Sequence, residues 1–135
     1  MDIKEFANKY IKAQTEAWLQ GKVDGFDELE VRDVVYHLPP PMPDIIGIEG
    51  HKKVFEGIQK AFTNIQIEWK YLTGEGSLFV VSYIARVMFI GEVPELPGLP
   101  PPTGKKETIN EMFVCRIEED KIVEAWVASS LSGTI

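Results

Sequence analysis

The stretch SLFVVSYIARVMFI, residues 77–90, decides the fold, because apolar side chains occupy both alternating positions of one long predicted strand. Successive side chains of a β-strand point to opposite faces of its sheet, so both faces of this strand must be covered by protein. The helices predicted elsewhere in the chain cover one face. For the other face we predict a second copy of the chain, and therefore a homodimer formed through the outer face of the sheet.

Periodic patterns on both sides of this stretch predict the remaining elements. Apolar residues three or four apart indicate helices, and strict alternation indicates strands. The predicted helices are 2–20, 24–29 and 49–63, and the other predicted strands are 34–38, 65–71, 105–117 and 121–130. The last two strands form a hairpin around a two-residue turn at Glu119 and Asp120. Five of the nine prolines fall in residues 91–104, which we expect to form a stiff loop over a pocket mouth.

Composition limits the class of protein and its partners. A chain of 135 residues with 44% hydrophobic and 26% charged residues is typical of one globular domain, here residues 1–135. A formal net charge of −7 disfavours nucleic acid and anionic membranes as partners. Without a long apolar run or a signal-like start, the sequence favours a cytoplasmic location. The single cysteine, Cys115, is expected to be a buried core thiol.

Several short stretches carry a resemblance to a known family. They are AWLQG at 17–21, VVYHLP at 34–39, GIEG at 47–50, PTGK at 102–105, FVCRI at 113–117 and KIVEAW at 121–126. Their order and spacing resemble the SnoaL-like polyketide cyclase branch of the nuclear transport factor 2-like fold, over nearly the whole chain. The resemblance implies an α+β fold, in which a curved, mixed or antiparallel sheet wraps as a cone around three helices and encloses a pocket for a small, largely apolar or carbonyl-containing ligand.

The family's acid/base residue is missing at its usual place. Cyclases of this branch use an aspartate about four residues after the last-strand tryptophan, but here Ser130 follows Trp126. A serine hydroxyl without an adjacent base is a poor proton acceptor. The predicted hairpin register pairs Glu111 with Ala128 and gives Glu111 a face shared with Phe113, Trp126 and Ser130. Apolar surroundings would raise the pKa of Glu111 and suit it to acid/base catalysis; alternatively, this face is the outer one and Glu111 is solvated.

Polar residues near the predicted pocket are the other candidates. His37 ends a strand at a proline run, which would place its imidazole near the cone's opening as a proton carrier, although a backbone carbonyl could equally satisfy it. Arg86 and Ser82 share one side of the long strand, where Arg86 could reach an acidic ligand group or form an interface salt bridge. His51, in the first turn of the 49–63 helix, is expected to be exposed and receives no role.

One side of the first helix offers hydrogen-bonding groups to a ligand. Tyr10, Gln14 and Trp18 are spaced four apart; Tyr10 or Gln14 could donate a hydrogen bond to a ligand carbonyl, while core packing is the favoured role for Trp18. The sequence has no metal-ligand spacing, phosphate-binding glycine loop or nucleophile elbow, so we expect no cofactor or metal. Two functions stay open: a cofactor-independent lyase or isomerase with Glu111 or His37 as the base, and a non-catalytic ligand-binding or dimeric scaffold protein.

Overall fold

Two α-helices and a six-stranded curved sheet form the structure, a computed structural model that describes residues 2–132. The helices are α1 (Ile3–Gln20) and α2 (Gly47–Ala61), with short 3₁₀ turns at Asp24–Glu28 and Ser130–Ser132. The strands are β1 (Glu30–His37), β2 (Ile45–Ile46), β3 (Phe62–Glu75), β4 (Leu78–Phe89), β5 (Lys106–Glu118) and β6 (Lys121–Ser129). The sheet order is β2-β1-β6-β5-β4-β3, and β1 runs parallel to β6 while the other neighbours are antiparallel.

Local signals set the ends of α1. The Asp2 carboxylate accepts hydrogen bonds from the backbone N–H groups of Lys4 and Glu5, at 3.0 and 3.2 Å, which satisfies donors that a helix start leaves without partners. Gly21, at φ 68°, ends the helix in the left-handed region, where glycine is favoured. Between these two ends, the apolar stripe of α1 is buried against the concave side of the sheet.

The predicted α+β fold is confirmed, with one difference in helix number. The segment predicted as a helix at 24–29 is a 3₁₀ helix of five residues, Asp24–Glu28, too short to form successive α-helical turns. The two-residue strand β2 was not predicted, because two residues carry no periodicity. It pairs with β1 directly before α2.

The β5–β6 hairpin determines which side chains face inward. Glu119 and Asp120 form its turn with φ values of 49° and 65°, as a two-residue hairpin turn requires. Glu118 pairs with Lys121 as predicted, but Arg116 pairs with Glu124, so Val123 is an extra, bulged residue. A slip of one residue turns every later side chain of β6 to the opposite face.

The predicted partners of Glu111 and Phe113 are therefore wrong. Ser129 lies opposite Glu111, and Val127 lies opposite Phe113. Trp126 projects instead from the outer, convex face, where 40% of its surface is exposed.

The outer face of the sheet carries apolar side chains that the single chain leaves exposed. Ile84 of β4 and Trp126 of β6 are each 40% exposed there, and Val80 pairs across the sheet with Val114. The homodimer predicted for this face stays a prediction, because the structure contains one chain. Neither α1 nor α2 is both long and apolar enough to cross a membrane.

Candidate functional site

A cavity of about 70 Å³ lies between the two helices and the concave face of the sheet. Apolar side chains form most of its wall, and its polar members come from both helices and from three strands. The lining polar and aromatic residues include Gln14, Trp18, Tyr36, His51, Tyr83, Glu111 and Phe113. A mainly apolar cavity with a few convergent polar groups is the usual form of a small-molecule site.

Two proline-rich loops contribute to the wall of this cavity. Leu96 and Leu99 of the 91–104 loop line it, as the sequence predicted, and Met42 lines it from the loop after β1. We call the 91–104 loop the lid. It is anchored by Val93, which is only 4% exposed. Gly57 of α2 provides the space for this anchor, since a Cβ built there would lie 2.7 Å from Val93 Cγ1.

The first polar group in the wall is built on β4, β5 and β6. The Tyr83 hydroxyl donates to Glu111 Oε1 at 2.6 Å, and Ser129 also hydrogen-bonds the Glu111 carboxyl from the facing strand. Burial raises the pKa of Glu111, while these two hydrogen bonds act in the opposite direction. Burial beside Glu111 likewise raises the pKa of Tyr83 well above its usual value, so Tyr83 stays a hydrogen-bond donor.

The second polar group joins the start of β1 to α2. Glu30 is 2% exposed and accepts a hydrogen bond from the Tyr36 hydroxyl. The other Glu30 oxygen lies 3.0 Å from Nδ1 of His51, which is itself 3% exposed. The His51 ring packs on Tyr36, with ring centres 4.2 Å apart. The prediction that His51 is exposed is therefore wrong.

Hydrogen bonds extend this second group along α1. The hydroxyls of Tyr10 and Tyr36 lie 2.7 Å apart, and Gln14 Nε2 donates to the Tyr10 hydroxyl at 2.8 Å. Burial, together with the negative charge of Glu30, raises the pKa of both tyrosines well above the usual value. Both hydroxyls therefore stay neutral and connect Gln14 to Glu30.

Four of the residues predicted for the site do line the cavity. They are Gln14, Trp18, Glu111 and Phe113. Tyr10 lies behind the wall, where it holds Gln14 and Tyr36. The structure thus brings together the catalytic candidate on β5 and the ligand-binding candidates on α1.

His37 lies away from the cavity, on the outer face of the sheet. Its Nε2 is 2.5 Å from Glu124 and its Nδ1 is 3.1 Å from Asp44, and its ring stacks on Trp126. The hydrogen bond to Glu124 is the main reason that the pKa of His37 is raised. The structure offers no geometric support for His37 as the catalytic base, because strand pleating directs its neighbour Tyr36 inward and His37 outward.

Four other predicted ligand contacts also lie outside the wall. Ser82 and Arg86 occupy the outward positions of β4, between buried neighbours that face inward. Trp126 faces outward because of the bulge in β6. The Ser130 hydroxyl accepts the backbone N–H of Asn110 at 2.9 Å, which ties the end of β6 to β5.

Sequence reasoning missed the Glu30–His51 pair, although the pattern contained a signal for each residue. His51 precedes Val54, Phe55 and Ile58 by three, four and seven positions, so it belongs to the apolar stripe of α2. Glu30 has the same strand parity as the buried Val34 and Tyr36. A polar residue on an apolar stripe is a candidate for a buried functional group.

Among residues 2–132, no group of three or more histidine, cysteine, aspartate or glutamate side chains is placed to hold a metal ion. Cys115 is buried, as predicted, and burial raises the pKa of its thiol.

Solved structures with the same fold come from several bacteria. IdmH of Streptomyces antibioticus, named as a candidate polyketide cyclase, is 24% identical with a TM-score of 0.70, over 96% of this chain and 94% of its own. TsrD of Streptomyces laurentii is 14% identical with a TM-score of 0.77, over 100% and 99% of the two chains. An NTF2-like protein from Anabaena variabilis is 18% identical with a TM-score of 0.72, over 96% and 90%. At these low identities, the TM-scores show a shared fold and nothing further.

A sequence search among curated proteins finds no match. The family model described as SnoaL-like polyketide cyclase, however, matches residues 8–134, which is nearly the whole chain and includes every polar residue of the cavity wall. The chain therefore belongs to the SnoaL-like polyketide cyclase family.

Proposed function

We propose that this protein is a cofactor-independent lyase or isomerase of the polyketide cyclase kind, in which Glu111 removes an acidic proton next to a carbonyl group. The observation that carries the proposal is the Glu111 carboxyl, held by Tyr83 at 2.6 Å in a mainly apolar cavity. A carboxylate with a raised pKa is a stronger base than one in water, and a fixed position shortens its approach to the carbon-bound proton.

The charges around the cavity support an uncharged substrate. Among the described residues, no lysine or arginine lines the cavity, while Glu111 lines it and Glu30 lies directly behind His51. A ligand carboxylate or phosphate would enter an apolar site without a cation to compensate its charge, at considerable cost in free energy. We therefore propose a neutral carbonyl compound as the substrate.

A hydrogen-exchange assay tests the proposed reaction without requiring the natural substrate. Cyclohexanone in D₂O exchanges the protons next to its carbonyl group when a base removes them, and mass spectrometry counts the incorporated deuterium. We expect the protein to accelerate this exchange over buffer, and Glu111→Gln to remove roughly 100-fold or more of the acceleration, the usual scale of general-base catalysis.

Glu68→Gln is the matched control, because it makes the same change on an exposed residue of β3. This variant should exchange cyclohexanone at the wild-type rate. If the wild-type protein binds cyclohexanone but exchanges it no faster than buffer, the lyase or isomerase proposal fails. The alternative, a non-catalytic ligand-binding protein of the same family, would then account for the cavity.

A further inference from the structure

The imidazole of His51 is held from one side and open on the other. Its Nδ1 contacts Glu30 at 3.0 Å, and Glu30 lies outside the cavity lining. Its Nε2 has no hydrogen bond within residues 2–132. Among those residues, Trp69 Nε1 is the one fully buried side-chain nitrogen or oxygen without a partner, so Nε2 of His51 is not fully buried. Since His51 itself lines the cavity, Nε2 is the ring nitrogen available to a ligand.

The carboxylate of Glu30 determines which ring nitrogen of the neutral imidazole carries the proton. A carboxylate beside Nδ1 favours a proton on that nitrogen, which leaves the lone pair of the neutral imidazole on Nε2. Tyr36 donates to the second oxygen of Glu30 and thereby fixes the carboxylate plane. The ring is further held between Tyr36 and Phe26, at centre distances of 4.2 and 4.6 Å.

His51 and Glu111 reach the cavity from different layers of the fold. His51 belongs to α2 and Glu111 to β5, and no hydrogen bond joins the two groups in the described chain. The Phe113 ring, which also lines the cavity, lies 6.4 Å from the ring of Tyr36, on which His51 packs, and 6.1 Å from the ring of Tyr83, which donates to Glu111. A ligand in the cavity can therefore be contacted by one proton-transfer group on the helical side and by another on the sheet side.

We propose that His51 is a second catalytic residue, which exchanges a proton with the ligand through Nε2, and that Glu30 is its positioning residue. This inference rests on the proposed function, since it supplies the second proton transfer that an isomerisation requires. Glu111 takes a proton from the carbon next to the carbonyl, and the electron pair of that C–H bond forms the enol double bond. The carbonyl π electrons move to oxygen, and Nε2–H of the His51 imidazolium delivers its proton there.

The products of this step are a neutral enol, protonated Glu111 and neutral His51, so charge and protons balance. For a substrate whose enol is conjugated with a second C=C bond, protonated Glu111 returns its proton to the far end of that dienol. The remaining C=C bond then lies next to the re-formed carbonyl, the enol proton passes back to Nε2, and the isomerisation is complete. A purely structural role for the Glu30–His51 pair does not explain why one ring nitrogen of a residue that lines the cavity has no partner in the described chain. Buried pairs of this kind are also weak contributors to stability compared with apolar packing.

Nuclear magnetic resonance of the wild-type protein tests the inference directly. Long-range ¹H–¹⁵N correlation identifies the protonated nitrogen of each of the two histidines, and phenol serves as the probe because it mimics the enol of cyclohexanone. We expect neutral His51 to carry its proton on Nδ1, and phenol to shift the Nε2 signal of His51. His37 is the internal control, since both of its nitrogens already contact carboxylates outside the cavity, and its signals should not move.

An Nε2 signal of His51 that does not respond to saturating phenol overturns the inference, whether or not other cavity residues respond. Glu30→Gln adds a test of positioning, because loss of the carboxylate should lower the share of the Nδ1–H form of His51. An unchanged tautomer would remove the positioning role of Glu30.

The exchange assay separates failure of this inference from failure of the proposed function. We expect His51→Gln to slow cyclohexanone exchange roughly 100-fold, on the scale of one general acid. If Glu111→Gln abolishes exchange while His51→Gln exchanges at the wild-type rate, the proposed function stands and the inference is wrong. If the wild-type protein does not accelerate exchange at all, the proposed function fails, and the phenol titration alone decides whether His51 offers Nε2 to a ligand.

Discussion

Replacing Tyr36 by phenylalanine removes one buried hydroxyl, and no other atom, from the second polar group of the cavity wall. This hydroxyl lies 2.7 Å from that of Tyr10 and donates to Glu30. Phenylalanine keeps the ring that packs on His51 at 4.2 Å, so the change in stability reports the hydrogen bonds rather than a lost aromatic contact.

The expected cost follows from the two hydrogen bonds. A neutral buried hydrogen bond contributes about 1 kcal/mol to the free energy of unfolding, and one to a charged group contributes about 1.5–3 kcal/mol. Tyr36→Phe should therefore destabilise the protein by about 2.5–4 kcal/mol. The larger part of this cost is the Glu30 carboxylate, which would stay buried with His51 as its one remaining side-chain partner.

Urea unfolding followed by tryptophan fluorescence measures this cost, and three tryptophans provide the signal. Tyr71→Phe is the matched control, because Tyr71 is half-buried and its hydroxyl makes no hydrogen bond in the described chain. We expect the control to change stability by less than about 0.5 kcal/mol. A Tyr36→Phe variant as stable as Tyr71→Phe would refute the reasoning, because Glu30 would then not depend on the Tyr36 hydroxyl.

Three further predictions concern the His37–Glu124 pair, the lid and the exposed Ile84 of the outer face. The hydrogen bond to Glu124 raises the pKa of His37, so the His37–Glu124 pair stabilises the folded chain below about pH 6.5, and this stabilisation is lost as pH rises through the folded pKa. His37→Asn should therefore lower the midpoint of urea unfolding more at pH 5.5 than at pH 8.5. Gly57→Ala places a Cβ 2.7 Å from Val93 Cγ1, so it should displace the lid and lower the free energy of unfolding by about 1–3 kcal/mol. Faster limited proteolysis within residues 91–104 would reveal the displacement. Sedimentation should find a homodimer, and Ile84→Asp should yield a monomer, because Ile84 is 40% exposed on the apolar outer face; a wild-type monomer at micromolar concentration would contradict the dimer.

Most of the fold follows from local patterns in the sequence. Alternating or continuously apolar runs identified the long strands. The turn at Glu119 and Asp120 was placed correctly because these two residues belong to a charged run, 118–120, that separates the last two strands. The register beyond that turn was not predictable in the same way. The bulge at Val123 adds one residue to β6 without a glycine or proline to mark it, and the resulting slip moved Trp126 from the predicted wall to the outer face.

The candidate site was predictable where a side chain shares the face of an unambiguous apolar stripe. Gln14 and Trp18 follow the stripe of α1, and Glu111 follows the parity of Phe113. His51 was missed because an ionisable residue in a first helical turn is usually exposed, and its burial depends on a carboxylate, Glu30, that lies 21 positions earlier in the chain. A pairing at that sequence distance becomes visible only when β1 and α2 are packed together.

The register also explains how the site can hold a carboxylate although Ser130 stands where the family resemblance leads us to expect an aspartate. The inward position at the end of β6 is Ser129, and its partner across the strand pair is Glu111. Directly opposed residues of antiparallel strands project from the same face with their Cβ atoms about 5 Å apart. A glutamate on β5 and an aspartate on β6 can therefore bring a carboxyl group to the same part of the cavity. In this chain Ser129 hydrogen-bonds the carboxyl instead of supplying it, so the serines at the end of β6 do not by themselves argue against catalysis.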